Sequence, residues 1–106
     1  MKVHFVQPNG RYVAAVATAG SSLMEAAVSY GVEGIDALCG GACACATCHV
    51  YVDPQWLPLV GAPGNEEAGL LEATDFPQSN SRLACQIRLS DEFDEMTVKV
   101  APRLDQ

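Results

Sequence analysis

Apolar and polar side chains alternate almost from the first residue. Residues 2–7, KVHFVQ, and 11–18, RYVAAVAT, have strand character, and Asn9-Gly10 between them is a strong hairpin signal. The period then changes. Ser22-Leu23-Met24-Glu25 has the form of a capping box and predicts a helix through about Tyr30, with Gly31 as its stop. Alternation returns in 49–53, HVYVD, which predicts a strand, and Pro54, Pro58, Gly61, Pro63 and Gly64 then mark an irregular stretch. Asn65-Glu66-Glu67 opens a short acidic helix through about Thr74. Residues 82–89, RLACQIRL, and 96–101, MTVKVA, read as strands joined by an acidic turn over 91–95. No repeat or linker interrupts the pattern. A single α+β domain over residues 1–106 is expected, with a mixed sheet of four to five strands packed on one main helix beside the short acidic one. Met24, Tyr51 and Phe76 read as packing residues and Trp56 as a loop anchor.

Composition adds little to the fold but narrows the function. With 49% apolar and 18% charged residues, the chain suits a globular protein rather than a disordered one. No run approaches the roughly 18 apolar residues of a membrane span, and the first residues lack the apolar core of an export signal. A cytoplasmic monomer with no membrane partner is therefore expected. All six basic residues lie near the ends, so residues 12–81 hold eight carboxylates and no Lys or Arg. Such a field disfavours nucleic acid and anionic membranes and favours a basic protein surface.

Chemistry is concentrated in 38–52, LCGGACACATCHVYV, which carries four of the five cysteines. In a reducing compartment, cysteines at this density bind metal or do redox work more readily than they staple a fold. Cys45-Ala46-Thr47-Cys48-His49 has the letters of a c-type haem attachment, yet the strand-like His49-Val50-Tyr51-Val52 and the absence of an export signal fit that poorly. A thioredoxin-like dithiol needs a helix where Val50 to Val52 stand, and leaves Cys39 and Cys85 unexplained. A structural zinc site commonly uses two C-x2-C knuckles, and only one is present. A 2Fe-2S cluster uses four thiolates, and Cys39, Cys45, Cys48 and the remote Cys85 supply C-x5-C-x2-C plus one. The intervening Gly40, Gly41, Ala42, Ala44, Ala46 and Thr47 are small enough for backbone N–H groups to approach sulfur. Cys43 is left over. The plant-type spacing fails, because a C-x4-C-x2-C begun at Cys43 would need a cysteine where Tyr51 stands.

The segments CGGACACATCHVYV and LLEATDFPQSNSRLACQIRLS together resemble the adrenodoxin and putidaredoxin type of 2Fe-2S ferredoxin, a resemblance that covers nearly the whole chain. It implies a β-grasp fold and a one-electron carrier, not an enzyme. It also implies a 2Fe-2S cluster on Cys39, Cys45, Cys48 and Cys85, fed by an FAD-containing, NAD(P)H-dependent reductase and commonly drained by a cytochrome P-450. A ferredoxin supplying iron–sulfur assembly is the alternative within the same chemistry, and a structural zinc module the alternative outside it. By position, His49 matches a structural residue expected to brace the loop, and Glu72 a docking position. Asp36, Glu66, Glu67 and Asp75 join Glu72 by proximity. Leu38 stands where the type often has an acidic residue beside the first cysteine, and would serve an apolar docking route.

Overall fold

The structure, a computed structural model, describes residues 1–32, 49–74 and 76–102. The expectations for Asp36, Leu38, Cys39, Cys43, Cys45, Cys48 and Asp75 therefore lie outside the described residues. Strands β1 (Lys2–Val6) and β2 (Tyr12–Val16) form the antiparallel hairpin that Asn9-Gly10 predicts. Gly10 takes φ +87°, its N–H bonds to the Gln7 carbonyl at 2.8 Å, and the Asn9 side chain accepts from the Arg11 N–H at 2.9 Å. Only glycine occupies that φ without strain.

Helix α1 (Leu23–Ser29) begins where the capping box places it, the Ser22 hydroxyl accepting from the Glu25 N–H at 3.1 Å. At its other end Gly31 has φ +65°, the Gly31 N–H bonds to Val28 and the Val32 N–H reaches back to Ala27. This is a Schellman stop, and it turns Val32 into the core.

Strand β3 (His49–Val52) leads into a 3-10 turn over Pro54–Trp56 and the short helix α2 (Leu57–Val60). The stretch expected to be irregular is thus partly helical. Pro58 permits this because the first helical turn has no intrahelical use for the N–H that proline lacks. Helix α3 (Asn65–Glu72) is the acidic one, followed by β4 (Ser81–Leu83) and β5 (Met96–Val100).

The five strands form one mixed sheet in the order β2-β1-β5-β3-β4. The β1–β5 pair is parallel and the other three pairs are antiparallel. Register puts Phe5 opposite Val98, Val52 opposite Val98 and Val50 opposite Val100, so these side chains share one sheet face. They join Leu23, Met24, Ala26 and Ala27 of α1 in a single core. Fully burying such a Val, Leu or Phe side chain contributes about 1.5–3 kcal/mol.

Two expectations need correction. Residues 82–89 do not form one strand: β4 ends at Leu83, a 3-10 turn covers Ala84–Gln86, and the chain then bridges back to the start of α1 through Ser22 and Arg88. Phe76 is not a core residue but 43% exposed, while Met24 and Tyr51 are buried as expected. Trp56 packs against the core, with its Nε1 enclosed and unpaired among the described residues.

Candidate metal centre

The break in the expected 82–89 strand presents the candidate ligand Cys85. Its turn lifts Cys85 out of the sheet to a partly exposed position, between the buried Ala84 and the exposed Gln86. The Gln86 side-chain amide donates to Cys85 Sγ at 3.5 Å, and Ser22 and Arg88 line the same polar recess. His49 pairs with Leu83 in the β3–β4 ladder. His49, which follows Cys48 in the sequence, is thereby set opposite the residue that precedes the Cys85 turn.

His49 is buried, and its Nε2 and the Ser81 hydroxyl lie 2.6 Å apart in a hydrogen bond. The Ser81 hydroxyl also accepts from the Gln78 N–H at 2.8 Å, and the His49 ring meets Tyr51 edge-on. Burial lowers the His49 pKa, which favours the neutral ring, and raises that of Tyr51, whose hydroxyl donates to the Phe76 carbonyl. His49 thus ties the start of β3 to β4, a structural role; the loop it is expected to brace lies outside the described residues.

Beneath the turn lies a knot that sequence reasoning missed. Arg82 donates through Nε and Nη2 to the two oxygens of Glu67, at 2.7 and 3.1 Å. Its Nη1 reaches the carbonyls of Gly61 and Val60, at 2.9 and 3.3 Å, and Nη2 approaches that of Gln86 at 3.5 Å. Glu67 accepts the Leu83 N–H at 2.8 Å as well. One guanidinium thereby connects α3, the end of α2 and the Cys85 turn, with all its donor nitrogens engaged.

Glu67 is 5% exposed and cannot serve the docking surface expected of it, because its charge is spent inward on Arg82. A signal was available: Glu67 lies one helical turn before Leu71, on the buried side of α3, and Arg82 is the first base after the long acidic stretch. Glu66 and Glu72 are exposed.

The donor chemistry fits an iron–sulfur centre: a partly exposed thiol carrying an N–H donor, on a turn fixed from below, in a chain whose sequence holds four more thiols. Residues 6–90 match the family of the 2Fe-2S iron-sulfur cluster binding domain. The chain belongs to this family of 2Fe-2S ferredoxins. Its cofactor is a 2Fe-2S cluster and it is an electron carrier, not an enzyme, which removes the haem and zinc alternatives. The ferredoxin is 55% identical over 82 residues to ferredoxin CarAc of a Sphingomonas species, covering 77% of this chain and 75% of that one. It is 43% identical over 103 residues to putidaredoxin of Pseudomonas putida, covering 96% of each. The fold matches putidaredoxin in the crystal structure of its covalent complex with putidaredoxin reductase. The TM-score is 0.92 at 41% identity, over 97% of this chain and 100% of that one. This likeness agrees with the expected β-grasp, α+β architecture. Among the described residues no helix is long and apolar enough to cross a membrane.

Proposed function

We propose that this ferredoxin carries single electrons from an FAD-containing, NAD(P)H-dependent reductase to a cytochrome P-450. Cys39, Cys45, Cys48 and Cys85 would hold the cluster, with Cys43 a spare thiol. The observation that carries the reading is the likeness over nearly the whole chain to putidaredoxin, a protein crystallised in covalent complex with its reductase. The cluster supplies a reversible one-electron couple. The protein supplies the turn that presents Cys85, the Gln86 donor to its sulfur, and the Arg82–Glu67 knot that holds the turn in place. Docking falls to the exposed Glu66 and Glu72, with Asp36, Leu38 and Asp75 completing the surface. The net charge of −7 steers the carrier toward basic partners and opposes self-association, in keeping with a cytoplasmic monomer.

Stopped-flow reduction by such a reductase, followed by transfer to a P-450, tests the reading. Rates at low ferredoxin concentration should fall as salt rises, and Glu66→Gln and Glu72→Gln should slow the reductase step while leaving the cluster spectrum unchanged. Indifference to both salt and charge would remove the acidic docking surface. Efficient reduction without transfer to any P-450, but with support of iron–sulfur assembly, would replace the acceptor.

A further inference from the structure

A second arrangement of functional side chains lies at the other end of the sheet. His4, on β1, is opposite Ala14 of β2, so Tyr12 is its diagonal neighbour on the same face. The Tyr12 hydroxyl meets His4 Nδ1, and the two rings pack with centroids 5.2 Å apart. On the far side of the imidazole, His4 Nε2 lies 2.6 Å from Glu95 Oε2. Glu95 is held in place at φ +70°, its N–H bonded to the Lys2 carbonyl at 2.7 Å. The His4 side chain is 11% exposed and Tyr12 59% exposed, so the chain of contacts runs from a sheltered base to an accessible phenol.

The acceptor chemistry orders this chain. A carboxylate only accepts, so Glu95 draws the imidazole proton to Nε2 and leaves Nδ1 with its lone pair. With the imidazole in that tautomer, the Tyr12 O–H is a donor to the Nδ1 lone pair. Among the described residues it is the only phenol so placed: the Tyr51 hydroxyl donates to a peptide carbonyl, which does not take up a proton, and the exposed Tyr30 meets no side-chain base among them. Strands lie about 4.8 Å apart, so β2 stands roughly 19 Å across the sheet from β4, well away from the Cys85 turn.

We propose that Tyr12, His4 and Glu95 form a proton-coupled site of one-electron oxidation, independent of the carrier function. A one-electron oxidant, such as an organic peroxyl radical, takes an electron from the Tyr12 phenol. The phenolic O–H bond breaks as its proton passes to His4 Nδ1. The products are a neutral Tyr12 phenoxyl radical, a His4 imidazolium whose Nε2–H is still held by the Glu95 carboxylate, and the reduced oxidant. Moving the proton together with the electron avoids a phenol radical cation, and the carboxylate stabilises the imidazolium that forms.

The test uses the oxidised holoprotein and a photogenerated ruthenium(III) polypyridyl oxidant, with transient absorption and EPR as readouts. A tyrosyl radical should form at Tyr12 and disappear in Tyr12→Phe, a substitution at an exposed site. His4→Val should slow radical formation about 100-fold, the lower end of what a positioned base contributes to proton transfer. Glu95→Gln should slow it several-fold whichever way the amide turns: a donor amide moves the imidazole proton to Nδ1, and an acceptor amide leaves the imidazolium without its carboxylate. The wild-type reaction should show a solvent deuterium isotope effect. Should His4→Val not fold, Glu95→Gln and the isotope effect decide. A radical that persists in Tyr12→Phe, or a rate unchanged in Glu95→Gln and insensitive to deuterium, would overturn the proposal.

Discussion

Glu67→Gln separates a buried structural charge from a surface one. The substitution keeps the shape and one acceptor oxygen, but leaves the Arg82 guanidinium, 7% exposed, without its counter-charge. Breaking a buried pair from one side costs about 3–5 kcal/mol. Because the Gln oxygen still accepts from Arg82 or from the Leu83 N–H, the lower end applies, about 3 kcal/mol. That is a large part of the roughly 5–15 kcal/mol that holds a domain together. At 1.4 kcal/mol per tenfold, it corresponds to about a hundredfold in the unfolding rate if the knot forms late in folding. Cluster loss makes unfolding irreversible, so the appropriate assay is the rate of bleaching of the cluster absorbance in fixed urea. Glu72→Gln, exposed on the same helix, is the control and should bleach almost as the parent does. Arg82→Met should be as damaging as Glu67→Gln, and the double variant should cost less than the two singles together. If the Glu67 and Glu72 variants bleached at the same rate, the reasoning from burial would be refuted.

Other outcomes follow from the site and the scaffold. Cys85→Ser should lose the 2Fe-2S absorption and EPR signals, because a serine oxygen is a harder and more basic ligand, whereas Cys43→Ser should retain them. Gln86→Leu removes the donor to Cys85 Sγ and should lower the reduction potential, by about 40 mV if that bond favours the reduced form by about 1 kcal/mol; spectroelectrochemistry checks it. Ser22→Ala removes the cap of α1, worth about 1 kcal/mol, and should speed bleaching in fixed urea by up to about fivefold, with the cluster spectrum before urea unchanged.

The parts of the fold legible in the sequence were those in which local chemistry decides the conformation. Asn9-Gly10 prescribes its turn, Ser22 and Gly31 bracket α1 through their own hydrogen bonds, and β1, β3 and β5 follow from short Val- and aromatic-rich runs whose alternate residues meet the core. What escaped was decided by partners distant in sequence. RLACQIRL has strand propensity throughout, yet Arg82 is drawn to Glu67 and to the carbonyls of residues 60 and 61, and the chain must turn at Cys85. Glu67 looked like one more surface acid because its i+4 spacing to Leu71, which sets it apart from Glu66, tells only once the partner Arg82, 15 residues on, is brought against that face of α3. Phe76 looked apolar enough for the core, but what the structure uses there is its backbone carbonyl, as the acceptor for Tyr51. At the metal centre, residue type and spacing pointed to the cluster chemistry. The bracing by Ser81, Arg82 and Gln86 depends on a register that no single segment encodes.

The placement of β5 between β1 and β3 bears on how the molecule is made. Met96–Val100 is the last of the five described strands to leave the ribosome, yet it is the central one. Until it emerges, the nascent chain holds two disconnected ribbons, β2-β1 and β3-β4, each with an open edge facing the gap that β5 will fill. All five cysteines have been synthesised by then, so the thiols precede the scaffold that is to hold them. Closure also requires Val3 to pair with Met96, a slow kind of step because the loop between them is long. Cluster insertion on a growing chain would therefore meet an unfinished sheet, and a premature stop before Met96 would release a chain carrying every cysteine and no framework.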